Sequence, residues 1–223
     1  MSFDVEMQFT VDPPGFTKGH GGPNEGGHHG PNWTEQYGMD LGASTDTAVE
    51  TAAYAAFDGH VTVFTPHNPD NDSKTRYGAQ FAMRYPNDKM GGFYTHIKDV
   101  PAGFGVGSLV ARGDFLGNVI KVIRIKNPDN TFETITLTAP HVHLALVEII
   151  GSQKVGVNLY QLFLDLETIY AENYVPVRFM EDGTPPEPQW SRKKNYVPVA
   201  GRRQDTGYAS KPPEQTSREY QPH

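Results

Sequence analysis

Between residues 61 and 137 the chain runs in short segments whose side chains often alternate apolar with polar, and this pattern restricts the fold most. Segments 61–64, 80–85, 92–96, 119–125 and 132–137 are rich in β-branched and aromatic residues. Alternation at period two suits strands that pack one face and wet the other. Asp58-Gly59 and Asn127-Pro128-Asp129-Asn130 supply turn chemistry between them. The expected fold class is mainly β, an open sandwich or barrel.

The flanks read differently. Residues 12 to about 35 include Gly19-His20-Gly21-Gly22 and Gly26-Gly27-His28-His29-Gly30, a composition that holds no regular element. With 23 glycines and 18 prolines in 223 residues, irregular ends around a packed middle are expected. The organisation expected is a glycine- and histidine-rich N-terminal arm over 1–35, a β domain over 36–180, and a polar, proline-rich tail over 181–223. One helix is expected near the end of the middle part. Val157, Leu159, Leu162, Phe163, Leu166 and Ile169 recur at three- and four-residue spacing, with Asp165 and Glu167 opposite. The tail reads as disordered, or as an arm that orders on a partner. The echo of Asn173-Tyr-Val-Pro-Val in Asn195-Tyr-Val-Pro-Val is too short for a repeat architecture.

Composition narrows the function classes. A formal net charge of -7 argues against nucleic acid as a partner, since phosphate binding needs a basic surface. No cysteine is present, which removes disulfides, thiolate catalysis and cysteine-ligated zinc. No stretch approaches the roughly 20 apolar residues of a membrane span. The opening Met-Ser-Phe-Asp-Val-Glu has neither a basic nor an apolar signal region. A soluble product made in the cytoplasm is expected.

The sharpest local signal is His141-Val142-His143. In a strand, residues two apart share a face, so both imidazoles stand side by side. That arrangement suits a metal, or one ligand beside one acid/base group; a half-exposed strand face is the plainer reading. Four more segments accompany it in order: Tyr37-Gly38-Met39-Asp40-Leu41-Gly42, the stretch from Ala53 to Val61, Tyr94-Thr95-His96-Ile97, and the stretch from Val106 to Gly117 closing on Gly113-Asp114-Phe115-Leu116-Gly117. With Pro140-His141-Val142-His143-Leu144, this series resembles the lysostaphin-type zinc metallopeptidases of the M23 family over about residues 36–150.

The resemblance implies a barrel-sandwich hybrid of the lysostaphin kind. It implies Asp40 and His143 as zinc ligands, and His96 and His141 as the histidines flanking the metal-bound water. Three ligands and one open position are the catalytic form of zinc, and a neutral imidazole beside it can accept a proton. Three departures stand out. Gln36 occupies the place of the family's first zinc-binding histidine, and its amide oxygen is neutral and a poorer zinc donor. Tyr85 stands where the family often has histidine. Residues 120–139 replace a short glycine- and serine-rich turn, so a remodelled groove is expected. The histidines of the arm invite two readings. His20, His28 and His29 are solvated loop residues, the favoured one, or His28 or His29 supplies a replacement ligand. His60 reads as a residue that follows a turn.

The resemblance therefore implies a domain related to zinc endopeptidases of bacterial cell-wall peptides, with metal at Gln36, Asp40 and His143 and impairment by Gln36. The alternative is a non-enzymatic module that binds peptidoglycan or short peptides, or a structural or cargo component of a phage-like or injection assembly. Its terminal arms would then contact protein partners, and either role requires a route to the wall.

Overall fold

Period-two alternation turns into antiparallel pairing throughout the molecule. The computed structural model describes residues 1–15, 21–70, 74–166, 173–192 and 219–222. In chain order the elements are β1 (Phe3–Gln8), β2 (Val11–Asp12), the one-turn helix α1 (Trp33–Gln36), β3 (Gly38–Gly42), β4 (Ala52–Tyr54) and β5 (Gly59–Thr65). After a 3-10 turn at Lys74–Tyr77 come β6 (Ala79–Arg84), β7 (Met90–Lys98), β8 (Leu109–Val110), β9 (Phe115–Val119), β10 (Val122–Lys126) and β11 (Phe132–Thr136). They are followed by β12 (His141–Ile150), β13 (Gln153–Asn158), the helix α2 (Tyr160–Asp165), β14 (Tyr174–Phe179), β15 (Glu187–Pro188) and β16 (Glu219–Pro222). The fold is mainly β and antiparallel, with short helices.

The long strand β12 organises the sheet. Its path runs β16-β13-β12-β7-β6-β5-β8, and β3 also pairs with β12. The N-terminal half of β12 thus lies between two strands. His143 stands opposite Asp40 of β3 on one side and Thr95 of β7 on the other. Val142, Leu144 and Leu146 enter the core, where Tyr94 stacks on Phe81 at 5.2 Å and Phe57 lies 6.3 Å from Tyr94. Tyr94 carries its hydroxyl into this apolar layer because Oη accepts the Ala56 N–H at 3.0 Å, which satisfies a buried polar pair.

The flanks are more structured than their composition suggests. The stretch expected as an N-terminal arm holds β1, paired along its length with β14 from Phe3↔Phe179 to Gln8↔Tyr174. Asp4 is held by Arg178 at 2.9 Å. Within the stretch expected as a tail, β15 pairs with β14 and β16 pairs with β13. The second Asn-Tyr-Val-Pro-Val copy lies outside the described residues.

The expected helix is shorter than its apolar spacing. Val157 belongs to β13, where it pairs with Leu146 of β12, and the helix covers Tyr160–Asp165. The spacing from Leu159 onward suits a helix, but Val155 and Val157 also alternate at period two, and the hairpin with β12 takes them. Asp165 is buried and accepts from Gln161 Nε2 at 3.3 Å, so the polar side expected there is not solvated. Glu167 and Ile169 lie outside the described residues. Residues 120–139 form a hairpin, β10 paired with β11 from Val122↔Thr136 to Lys126↔Phe132. Among the described residues no helix is long and apolar enough to cross a membrane.

Candidate metal centre

Asp40 projects from β3 between two core residues, Met39 and Leu41, both fully buried. Strand alternation sends those two into the core and Asp40 to the opposite face, against His143. His141, two residues earlier on β12, shares that face. Asp40 Oδ1 lies 3.1 Å from His143 Nδ1, 3.4 Å from His141 Nε2 and 3.2 Å from His28 Nε2. The ring of His96 on β7 completes the group, with its centroid 4.7 Å from that of His141 and 6.1 Å from that of His143.

His96 reaches this face through an unusual backbone. On a regular strand Tyr94 and His96 would point together, and Tyr94 is in the core. His96 instead has φ 71°, a left-handed conformation costly for a residue with a Cβ. Thr95 and His96 consequently line the same cleft of about 350 Å³, with His143, Phe93, Thr34 and Tyr77. Strain of this kind often accompanies function.

The opposite ring nitrogens decide what this cluster can do. His28 Nδ1 meets Gly22 O at 2.9 Å, His143 Nε2 meets Thr34 O at 2.7 Å, His141 Nδ1 meets Ala139 O at 2.7 Å and His96 Nδ1 meets Tyr77 O at 3.0 Å. A carbonyl oxygen only accepts, so each of these nitrogens donates. A neutral imidazole has a single N–H, and each ring has therefore spent it on the backbone. The bare nitrogens of His28, His141 and His143 converge on a carboxylate oxygen. Lone pairs facing an anion at 3.1 to 3.4 Å repel unless positive charge lies among them.

With protons as the positive charge among these nitrogens, the titration shifts are as follows. Burial alone would raise the Asp40 carboxyl, but His141, His143 and His28 outweigh it and hold it well below the ordinary carboxylate range. Burial opposes protonation of His28, and the Asp40 carboxylate more than offsets it, so His28 is raised. Burial, with His141 and His143 nearby, lowers His96 to about 3. The folded pKa of His96 lies below the ordinary 6.5, so the unfolded chain takes up a proton between those values that the folded chain refuses. Stability from this group falls as pH drops through that window. In metal-free protein, urea denaturation should show His96→Gln gaining stability relative to wild type as pH falls from 7 to 4.5; a constant difference would contradict this environment for His96.

The donor set and the space suit zinc. His28, Asp40 and His143 offer ligand atoms all within 4.8 Å of one another. Tetrahedral zinc with bonds of about 2.0–2.1 Å has ligand–ligand edges of about 3.3 Å, and the two edges at Asp40 measure 3.1 and 3.2 Å. Gly38 leaves the room: a Cβ there would meet His143 Cε1 at 2.1 Å and His28 Nε2 at 2.8 Å. Thr95 Oγ1 is buried with no hydrogen-bond partner among the described residues, an unspent polar group lining the cleft.

Asp40, His96, His141 and His143, singled out in the sequence, therefore lie together. Gln36 sits at the end of α1 and donates through Nε2 to Asn24 Oδ1 at 3.1 Å. His28 is buried rather than solvated, which corrects the favoured reading of the arm histidines, because the chain before α1 folds back over β3 and hydrogen-bonds to it. His29 is exposed, His20 lies outside the described residues, and His60 is half-buried 3.6 Å from Asp88.

No protein-family model matches the chain, and neither does any curated protein. Among solved structures the chain is similar to lysostaphin in solution, at 18% identity over 60% of this chain and 44% of that one, with a TM-score of 0.38. It is similar to lysostaphin from Staphylococcus simulans at 17% identity over 71% and 52%, with a TM-score of 0.39. It is also similar to Csd3 from Helicobacter pylori at 17% identity over 64% and 32%, with a TM-score of 0.37. The chain spans about half or less of the length of these proteins.

Proposed function

We propose that this domain is a zinc-dependent endopeptidase acting on peptides of the bacterial cell wall. The observation that carries the reading is the convergence of imidazole lone pairs on the buried Asp40 carboxylate. Three protonated imidazoles around one carboxylate would bury excess positive charge, which is costly. One divalent cation meets the Asp40 and His143 donors, with His141 beside them. Asp40 and His143 hold it from the sheet. The sequence resemblance to lysostaphin-type peptidases supplies the reaction class.

Zinc bound there supplies Lewis acidity toward a carbonyl and toward water. The protein supplies the proton transfers. Ala139 O and Tyr77 O fix the tautomers of His141 and His96, which leaves Nε2 of each unprotonated, that of His141 3.4 Å from Asp40 Oδ1. Those nitrogens take the proton of the attacking water and return it to the leaving amine. Burial lowers His96 to about 3, so it is neutral and a weaker base than an ordinary imidazole. The Thr95 hydroxyl is free to donate to the peptide, and Phe93, backed edge-on by Trp33 at 6.5 Å, gives the cleft an apolar wall.

The test is release of new amino groups from purified peptidoglycan by zinc-loaded protein. His96→Ala and His141→Ala should each lower the rate by roughly 10²–10⁴-fold, with bound zinc retained. Retention on peptidoglycan without new amino groups would contradict the enzyme and support the binding module. Gln36, in the place of a metal-binding histidine, is the residue that favours the binding module.

A further inference from the structure

We propose that the arm of residues 21–32 supplies the third metal ligand through His28, and that Gln36 is the positioning residue that latches this arm in place. The inference rests on the metal reading of Asp40 and His143 and adds to it a donor from outside the sheet. His28 Nε2 lies 3.2 Å from Asp40 Oδ1, and its N–H is committed to Gly22 O within the same arm. The ring is thus oriented by the segment that carries it. A backbone carbonyl that accepts from the far ring nitrogen and fixes the tautomer is the usual support of a metal-bound imidazole.

The arm is fastened to the site at separate points. Asp40 N–H donates to Gly21 O at 2.8 Å, and Asn24 N–H donates to Gln36 O at 3.0 Å. Gln36 Nε2 returns a bond to Asn24 Oδ1 at 3.1 Å. Glu25 closes the loop on itself: its carboxylate accepts from Gly22 N–H at 2.9 Å and its carbonyl from His28 N–H at 2.8 Å. Left-handed φ at Gly21 and Gly26, 68° and 52°, lets so short a segment turn twice. Position 36, where the sequence departs from the expected ligand, therefore spends both its backbone carbonyl and its amide on the segment that delivers His28.

From Asn24 to Gly30 the arm has no apolar side chain. Ordering such a segment costs conformational entropy that apolar burial does not repay. A metal bond to His28 links arm order to metal occupancy, since whatever binds only the docked form stabilises it. The arm docks when zinc is bound and loosens when it is removed.

The test measures zinc affinity by competition with a chromophoric chelator on the full metal-stripped chain, with amide hydrogen exchange across residues 21–32. Wild type is expected to bind one zinc and to slow exchange across the arm on loading. His28→Ala should weaken zinc at least 100-fold and abolish the zinc-dependent protection; Gln36→Ala should weaken it roughly 10-fold, as loss of an outer-shell support does. Thermal melting of each variant without metal separates these effects from misfolding, and Gln36→Ala serves if His28→Ala does not fold. Wild-type affinity in His28→Ala, with zinc lost in Asp40→Ala, would overturn the arm ligand and leave the metal reading standing. No zinc in the wild type would overturn both.

Discussion

Asp40→Ala is expected to abolish zinc binding and, with it, peptide hydrolysis. Asp40 Oδ1 lies within 3.4 Å of three imidazole nitrogens, so removing it takes away the anion on which the cluster converges. The loss in zinc affinity should exceed the roughly 100-fold that removing an outer-shell partner costs. The effect on stability depends on metal. Without zinc the imidazoles hold Asp40 ionised and Asp40 in turn raises His28, so its removal should cost stability at neutral pH. With zinc at about 100 times its dissociation constant, wild type gains about 2.7 kcal/mol, whereas Asp40→Ala gains none. If protons rather than a metal held the cluster together, Asp40→Ala would destabilise by the same amount with and without zinc. Thermal melting with and without zinc separates the two.

Phe81→Ala is the second large effect, acting on the core beneath the site. Phe81 is fully buried, stacks on Tyr94 at 5.2 Å and meets Phe104 edge-on at 5.1 Å. Truncating such a ring costs about 3–5 kcal/mol through lost transfer energy and the cavity left behind. At roughly 2–4 °C per kcal/mol for a chain of this size, melting should fall by about 6–20 °C. Phe81→Leu should cost clearly less, because much of the volume remains. β6 and β7 carry the wall on which Thr95 and His96 sit, so zinc affinity should fall with stability in Phe81→Ala. A melting shift below about 3 °C would contradict the packing described for this layer.

The β character was legible because alternation at period two is local: segments 80–85, 92–96 and 132–137 all fall on β6, β7 and β11. The four site residues stood out for a similar reason. His141 and His143 share a strand face, and the short motifs around Asp40 and His96 carry them to neighbouring strands. What escaped depends on distant pairing. Phe3, Val5 and Met7 alternate as plainly as any strand, but their partner β14 lies some 170 residues away, and proximity to the glycine-rich stretch hid them. Val157 was ambiguous between two periods until β12 claimed it. The φ of 71° that turns His96 into the cleft has no signature in Tyr-Thr-His-Ile. His28 was visible only as one histidine among three in a segment without periodicity. Its burial comes from the return of the arm over β3, held by Gln36 and Asn24, and no local pattern encodes that return.

X-ray absorption at the zinc edge, on the full chain loaded with one equivalent of zinc, reads the metal centre itself. Four-coordinate zinc with nitrogen and oxygen donors at about 2.0–2.2 Å and the multiple scattering of imidazole is the expected result, and Asp40→Ala should lose it. Zinc that shows no imidazole scattering, or that gives the same spectrum in Asp40→Ala, would contradict a metal centre built on Asp40 and His143.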